Sequence, residues 1–193
     1  MPSLQPTELR DWVSKANQLL WREPNVFGDV FVECGTYGGD SVVAARKVFR
    51  TVHTIEISHE LWERARARFA TDGGVTCHHG NSPDVLATLL PPFGKLPLVF
   101  WLDAHWSKGN TSFQSVHVPL LQELRVIVSK AEGPCLLLID DVRLFGGASD
   151  GIDWTGVSQQ AVLDIVGPRV LSFWFAASTL NESDRMIVVL KSL

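Results

Sequence analysis

The sequence of 193 residues contains few cysteines. Cys34, Cys77 and Cys135 are widely spaced, and no two of them form a CxxC pair. All three lie in apolar or strand-like contexts, so we expect buried free thiols and a reducing, cytoplasmic compartment. The N-terminal stretch MPSLQPTELRDW also lacks the basic and apolar regions of a signal peptide, which leads to the same expectation.

The sequence also lacks an excess of positive charge and any long hydrophobic run. Its 17 Lys and Arg residues are outnumbered by 21 Asp and Glu, and the signs are interspersed, which argues against a nucleic-acid partner. The longest apolar runs, such as LPLVFWL, are too short to cross a bilayer, so we expect no membrane span. No repeat or linker divides the chain. We therefore predict a single domain over residues 1–193, with an N-terminal helix in residues 1–25 and a core in residues 26–193.

Strand-like and helix-like segments alternate along the chain, beginning with an amphipathic helix over Thr7–Trp21. This alternation predicts a doubly wound α/β fold, in which helices cover both faces of a mostly parallel sheet. Only about ten residues separate the last two strands, too few for a crossover helix, so the last strand should be antiparallel and lie at the edge. The seven predicted strands are Val30–Cys34, Val52–Ile57, Val75–His79, Leu96–Leu102, Cys135–Ile139, Val170–Phe175 and Met186–Leu190.

A glycine-rich turn, ECGTYGGDS, follows the first predicted strand. Its glycines allow a tight turn and a close approach of a ligand to the backbone, and the helix that follows offers free N–H groups. The turn has no GK[ST] ending, which argues against a nucleoside triphosphate. It also lacks the G-x-G-x-x-G of dinucleotide sites, because Tyr37 stands at the second glycine position. Glu33 would face a pyrophosphate unfavourably, but it suits the ammonium group of S-adenosylmethionine.

Polar residues at the ends of the next two strands are consistent with an adenosine-containing ligand. In TIEIS, Glu56 occupies the position from which a carboxylate accepts hydrogen bonds from both ribose hydroxyls. In GNSPD, Asn81 and Ser82 could contact an adenine edge, although Ser82 could equally cap a helix. Ser41 and the helix after the glycine turn could hold a ligand carboxylate. The plainer alternative is a polar strand end followed by an ordinary tight turn.

The fourth and fifth predicted strands both end in aspartate, in LVFWLDAHW and CLLLIDDV. Asp103, Asp140 and Asp141 should therefore converge, and three neighbouring carboxylates need a cation, for which Mg²⁺, Mn²⁺ or Ca²⁺ is suited. Alternatively, one aspartate contacts the ligand and another caps a helix. His105 suits a general base acting on a hydroxyl group, with a metal ligand and a structural histidine as alternatives. Trp154 falls in a loop at the same edge, where it could line a pocket or belong to the core.

With these residues, the chain resembles class I S-adenosylmethionine-dependent methyltransferases. It resembles more narrowly the metal-dependent O-methyltransferases of the catechol and caffeoyl-CoA type and the macrocin-type sugar O-methyltransferases. Five motifs occur in the family's order: ECGTYGGDS, TIEIS, GNSPD, LDAHW and IDDV. The resemblance implies a Rossmann-like methyltransferase fold, S-adenosylmethionine and Mg²⁺ as cofactors, and methylation of a small hydroxylated acceptor such as a phenol, a sugar or a secondary metabolite.

The resemblance also implies roles for individual residues. Asp103 and His105 would be catalytic, and Asp103, Asp140 and Asp141 would hold the metal. The general base stays open, because Trp106 stands where the catechol group has a lysine and His105 stands where the sugar group has an aspartate. The implied cofactor-binding residues are Glu33, Gly35, Thr36, Tyr37, Gly39, Ser41, Glu56, Ile57, Asn81, Ser82 and Asp103.

Two other functions remain open on the sequence alone. The first is a non-catalytic S-adenosylmethionine-binding protein on the same fold, and the second is a nicotinamide-dependent oxidoreductase, which Glu56 would serve equally well. The sequence is compatible with a monomer or a homodimer, since Trp12 and Trp21 on the first helix could form a dimer face or dock on the sheet.

Overall fold

The secondary structure follows the predicted alternation of strands and helices. The computed structural model describes residues 4–20, 27–103, 118–149 (148 and 149 as backbone only) and 152–193. The helices are α1 (Pro6–Leu19), α2 (Asp40–Arg46), α3 (His59–Arg68), α4 (Ser82–Leu89), α5 (Leu120–Lys130) and α6 (Gln159–Val166), with 3₁₀ turns at Pro91–Phe93, Val142–Leu144 and Gly167–Arg169. The strands are β1 (Val30–Cys34), β2 (Thr51–Glu56), β3 (Val75–His79), β4 (Leu98–Leu102), β5 (Cys135–Ile139), β6 (Ala148–Ser149), β7 (Ile152–Asp153), β8 (Val170–Ala176) and β9 (Arg185–Leu190).

Seven strands form one sheet in the order β3-β2-β1-β4-β5-β9-β8, while β6 and β7 pair separately as a short hairpin. Strands β1 to β5 pair in parallel, and β9 runs antiparallel to both of its neighbours. The predicted seven-stranded, mostly parallel sheet with an antiparallel last strand is therefore confirmed. The expected edge position of that strand is wrong, because β9 is inserted between β5 and β8.

Burial explains why β9 lies inside the sheet. Every residue of β9 is buried, so its apolar run is best placed between two neighbouring strands. Strand β8 instead exposes Leu171 by 44% and Phe173 by 39%, so it is solvated on one face, as antiparallel strands commonly are. The sequence reflects this difference in burial, because β9 contains the continuous apolar run MIVVL whereas exposed and less exposed residues alternate in VLSFWFA of β8.

Helices cover both faces of the sheet and create two buried apolar clusters. One cluster packs α1 and α2 on the sheet, and the other packs α4, α5 and α6 on the opposite face. Helix α1 is amphipathic and buries its apolar face. Trp12 lies on this face, packs on the sheet and is only 8% exposed. Trp21 lies outside the described residues.

The three cysteines are unpaired, as the sequence predicts. Cys34, Cys77 and Cys135 are free thiols; Cys34 and Cys135 are buried, whereas Cys77 is only half-buried. In the part of the chain that the structure describes, no helix has the length and apolar character needed to span a membrane.

Candidate functional site

The glycine-rich turn joins β1 to α2 at the carboxyl edge of the sheet. Its backbone enters the left-handed region at Gly35 (φ 92°), Tyr37 (φ 45°) and Gly39 (φ 78°). The turn is closed by a 2.8 Å hydrogen bond from the Gly39 N–H to the Thr36 carbonyl. The guanidinium of Arg68, at the end of α3, donates to the Gly38 carbonyl and ties the turn to the next helix. The turn is thus a fixed backbone loop rather than an open linker.

We expect Gly39→Ala to destabilise the protein by about 1 to 2 kcal/mol, because an alanine at positive φ is strained. Its added Cβ would also lie 2.9 Å from Cε2 of the Phe69 ring. Gly38→Ala is a matched control, since no atom lies within 4 Å of its added Cβ, and it should change stability by less than about 0.5 kcal/mol. Urea unfolding of both variants measures the difference. Equal stability of the two variants would contradict the assigned turn geometry.

Glu33 is completely buried at the end of β1. Its carboxylate accepts hydrogen bonds from the Ser41 hydroxyl and, at 2.5 Å, from the Thr54 hydroxyl. Thr54 in turn lies 2.6 Å from the Thr36 hydroxyl, so the two predicted residues Glu33 and Thr36 share a network with β2. Burial raises the pKa of Glu33 to about 8, although the hydrogen bonds from Ser41 and Thr54 act in the opposite direction. A cation placed beside Glu33 would favour its charged form.

Glu56 lies at the end of β2 and is 5% exposed. One carboxylate oxygen accepts a 2.9 Å hydrogen bond from the Tyr37 backbone N–H, and the other accepts a 2.9 Å bond from the Ser58 backbone N–H. Each oxygen has a second lone pair that can still accept a donor. Two turns therefore orient this carboxylate, and the predicted residues Tyr37 and Glu56 are brought together. Ile57, the next predicted residue, is partly buried, and its carbonyl lies 3.2 Å from Nε2 of His79.

The two predicted adenine-side residues, Asn81 and Ser82, lie between β3 and the first turn of α4, and one of them contacts a buried carboxylate that the sequence did not predict. Asn81 donates to Asp84 at 2.9 Å, whereas the Ser82 hydroxyl donates to Glu123 on α5. Glu123 is completely buried, and burial raises its pKa to about 7 even though the bond from Ser82 lowers it. A signal was available, because Glu123 occupies the apolar face of α5 with Leu120, Leu124 and Ile127.

The three predicted metal ligands are only partly brought together. In the described ranges, carboxylate oxygens of Asp140, Asp141 and Asp184 lie within 4.8 Å of one another, and Asp103 is not a member of this group. Arg143 supplies a cation to the same oxygens: it donates to Asp141 and, at 2.7 and 2.9 Å, to both oxygens of Asp184. Burial alone would raise the pKa of Asp184, but hydrogen bonds from Ser178 and Arg143 outweigh burial and lower it.

A second arginine pairs with the remaining aspartate of this group. The Arg185 side chain is 2% exposed; its Nε lies 3.3 Å from Asp140, and one terminal nitrogen donates to Glu8 of α1 at 2.6 Å. Burial and the charge of Asp103 raise the pKa of Asp140, and Arg185 opposes them. Because guanidinium groups already bind all three carboxylates, the donor set does not fit the predicted metal ion without the displacement of an arginine.

Asp103 follows β4, and its N–H donates to the Cys34 carbonyl at 3.2 Å. Burial is the main cause of the raised pKa values of Glu33 and Glu123. The negative charge of Asp103 raises both values further. Asp103 lines a small pocket together with Trp154, which is 3% exposed and whose ring stacks on Phe145. The predictions for His105 and Trp106 lie outside the described residues.

Comparison with solved structures identifies the fold. No family model matches the chain, and a search of curated proteins finds no match. A Streptococcus mutans protein provisionally described as a methyltransferase, solved in complex with SAH, shares 14% identity and a TM-score of 0.56 over 98% of this chain and 99% of its own. A Klebsiella pneumoniae protein provisionally described as an O-methyltransferase shares 18% identity and a TM-score of 0.59, over 93% of this chain and 80% of its own.

A third neighbour is an rRNA methylase from Streptococcus thermophilus, with 12% identity and a TM-score of 0.52 over 98% of both chains. The chain has a Rossmann-like methyltransferase fold. At these identities the likeness establishes the fold, and the activity has to be argued from the chain's own residues.

Proposed function

We propose that this chain is an S-adenosylmethionine-dependent methyltransferase that methylates a hydroxyl group of a small acceptor. The observation that carries the proposal is the Glu56 carboxylate, which two backbone N–H groups orient at the end of β2 beside the glycine turn. A carboxylate so held accepts hydrogen bonds from paired ribose hydroxyls. The fold it sits on is shared with a neighbour that was solved with SAH.

The other residues at this edge have complementary roles in the proposal. The turn around Gly35 and Gly39 brings backbone close to the ligand, with Thr36, Tyr37, Ser41 and Ile57 beside it. Glu33 would balance the ammonium group, and Asn81 and Ser82 would lie on the adenine side. Buried Glu33 would gain its charge when a cation arrives, because the neighbouring positive charge favours the ionised form.

The chemistry at the acceptor is proposed for the end of β4. When bound, S-adenosylmethionine supplies a methyl group on a sulfonium centre. Asp103 would orient the acceptor hydroxyl, and His105, assigned from the sequence alone, would take its proton. Positioning and the exclusion of water would supply most of the rate enhancement. No step is assigned to a metal, because Arg143 and Arg185 occupy the carboxylates that would bind it.

The test is isothermal titration of S-adenosylmethionine and of SAH into the purified protein, with and without MgCl₂, followed by methyl transfer to a panel of hydroxylated acceptors. We expect both compounds to bind, with affinities that Mg²⁺ changes by less than about threefold, and turnover that survives EDTA. NADH should not displace SAH, which distinguishes the proposal from a nicotinamide-dependent oxidoreductase.

Each other result has a defined meaning. If neither compound binds, the proposed function is wrong. If both bind but no hydroxylated acceptor is methylated, a non-catalytic S-adenosylmethionine-binding protein is favoured. The ion pairs of Arg143 with Asp184 and of Arg185 with Asp140 would support that function, because they occupy carboxylates that could otherwise bind a metal. If turnover requires Mg²⁺, the argument from Arg143 and Arg185 fails and the predicted metal site is restored.

A further inference from the structure

A small pocket lies at the carboxyl ends of β4 and β5, where three acidic side chains meet apolar walls. It has room for a group the size of a water molecule rather than for a whole ligand. The pocket is formed by β4, β5, α5 and the segment around Trp154, with lining residues Leu102, Asp103, Val118, Leu120, Glu123, Asp140 and Trp154. The proposed function uses Asp103 from this set and leaves the other carboxylates of the pocket without a role.

Glu123 gives this pocket an unmet requirement for a hydrogen-bond donor. The side chain is completely buried, and one carboxylate oxygen accepts from the Ser82 hydroxyl. The Cys34 thiol also interacts with this carboxyl group, but across the described residues no donor has hydrogen-bond geometry to its other oxygen, Oε2. Buried carboxylate oxygens normally have donors, because leaving them unpaired forfeits hydration without replacement. A donor on a bound ligand would satisfy Oε2.

The charge of the pocket indicates which donor it would take. Asp140 is paired with Arg185, whose Nε lies 3.3 Å away. Among the described residues, no salt bridge joins Glu123 to an arginine or a lysine. Asp103 adds a further carboxylate to the wall. An electrically positive donor is therefore favoured over a neutral one.

The walls favour an organic cation over a metal ion. Mg²⁺ requires about six oxygen ligands in an octahedron, whereas Leu102, Val118, Leu120 and Trp154 supply hydrocarbon surface. The acidic group with converging oxygens, Asp140, Asp141 and Asp184, excludes Glu123 and Asp103. A protonated primary amine has a compact head with three N–H donors, and its carbon chain can lie against apolar side chains. The Trp154 ring adds an aromatic surface that attracts cations.

We propose that this pocket binds the protonated amino group of the acceptor, so that the acceptor is an amino-bearing alcohol or phenol. This inference rests on the proposed function and narrows its substrate class. Glu123 would be the principal ligand of the ammonium, with Asp103 beside it and Trp154 as one wall. The hydroxyl that accepts the methyl group would lie outside the pocket, at a distance set by the carbon chain between the two groups.

The experiment uses n-butylammonium and 1-butanol as probes of matched shape, titrated into SAH-loaded protein at pH 8 and followed by NMR. We expect n-butylammonium to bind at least about tenfold more tightly than 1-butanol, the ratio of a charge-assisted hydrogen bond. Glu123→Gln keeps an acceptor for Ser82 and should abolish most of this preference. Glu63→Gln removes an exposed carboxylate on α3 and should leave the preference unchanged.

A paired activity measurement extends the test to whole acceptors. With S-adenosylmethionine present, the kcat/KM for methylation of tyramine should be at least about tenfold higher than that of 4-propylphenol. The two compounds differ chiefly in the charged amino group. Should Glu123→Gln be too unstable to study, the wild-type NMR spectra decide the question, because n-butylammonium should shift the resonances of the pocket residues Val118 and Leu120, and shifts elsewhere alone would contradict the inference.

Four outcomes would overturn the inference. These are equal binding of the two butyl probes, a preference that survives in Glu123→Gln, displacement of n-butylammonium by MgCl₂, or a loss of SAH affinity in Glu123→Gln comparable to the loss of ammonium binding. The last would assign the pocket to the cofactor. Failure of SAH to bind the wild-type protein is a different result, because it refutes the proposed function first.

Discussion

Replacing Arg185 with methionine is expected to lower the free energy of unfolding by about 3 to 5 kcal/mol. The side chain is 2% exposed and pairs with Asp140 and Glu8, and its guanidinium also lies 5.4 Å from the centre of the Trp101 ring and 5.7 Å from that of Trp12. Methionine fills a similar volume but leaves buried Asp140 without its cation, so Asp140 must either stay charged in a buried position or take up a proton, and both cost stability. The loss would be a large part of the stability of a domain of this size.

A double-variant cycle separates this charge effect from packing. Asp140→Asn alone should cost less than Arg185→Met, because Arg185 keeps its bond to Glu8. In the combined variant Arg185→Met/Asp140→Asn the uncompensated charge is gone, so at least about 1 kcal/mol should be recovered relative to the sum of the single changes. Guanidinium chloride unfolding of all four proteins provides the measurement. An Arg185→Met protein within about 1 kcal/mol of the wild type would show that the ion pair contributes little.

Arg185 and Arg143 together bring positive charge to the acidic group from within the chain. Asp140, Asp141 and Asp184 would repel one another at neutral pH, and Arg143 and Arg185 supply the balancing charge from within the chain. A guanidinium can bridge two carboxylates because its five donors spread over a planar fork. In Arg143 a single terminal nitrogen contacts both Asp141 and Asp184, and it joins the turn after β5 to the residue just before β9.

Much of the fold could be predicted because it depends on local patterns. The run VFVEC ending in glycines gave β1 and its turn, and the short interval before the last strand gave its reversal. The place of β9 between β5 and β8 depends on a choice between two neighbours, and connection length does not decide that choice. The continuous apolar run MIVVL at Met186–Leu190 was the available signal, because a strand buried on both faces is typical of the centre of a sheet.

The sequence predicted those site residues that lie at the end of a strand. It did not predict contacts between side chains that are far apart in the chain. Glu33 and Glu56 lie at the edge that the strand pattern indicated. Arg143 and Asp184 are 41 residues apart, and their pairing depends on the position of β9, so no local pattern reveals it. Glu123 was detectable in principle, because a carboxylate on the apolar face of α5 must be held by a partner or serve a ligand.

Replacing Glu56 with glutamine is expected to weaken SAH binding by about 10- to 100-fold, the value of one or two hydrogen bonds to a charged acceptor. The amide keeps the size of the side chain but removes its charge. It also turns an NH₂ group toward the backbone N–H of either Tyr37 or Ser58, where a donor meets a donor. Either the turn after β1 or the turn after β2 would therefore lose an anchor, and the ribose hydroxyls would lose an acceptor.

Two further variants show whether the effect belongs to the ligand or to the turns. Glu63→Gln removes an exposed charge from α3 and should leave SAH affinity unchanged. Glu56→Asp keeps the charge but shortens the side chain, so it should bind SAH with an affinity between those of the wild type and Glu56→Gln. Isothermal titration at one salt concentration gives all four values. If Glu56→Gln binds SAH as tightly as the wild type, the carboxylate does not hold a ribose, and its two backbone bonds are a structural feature of the sheet edge alone.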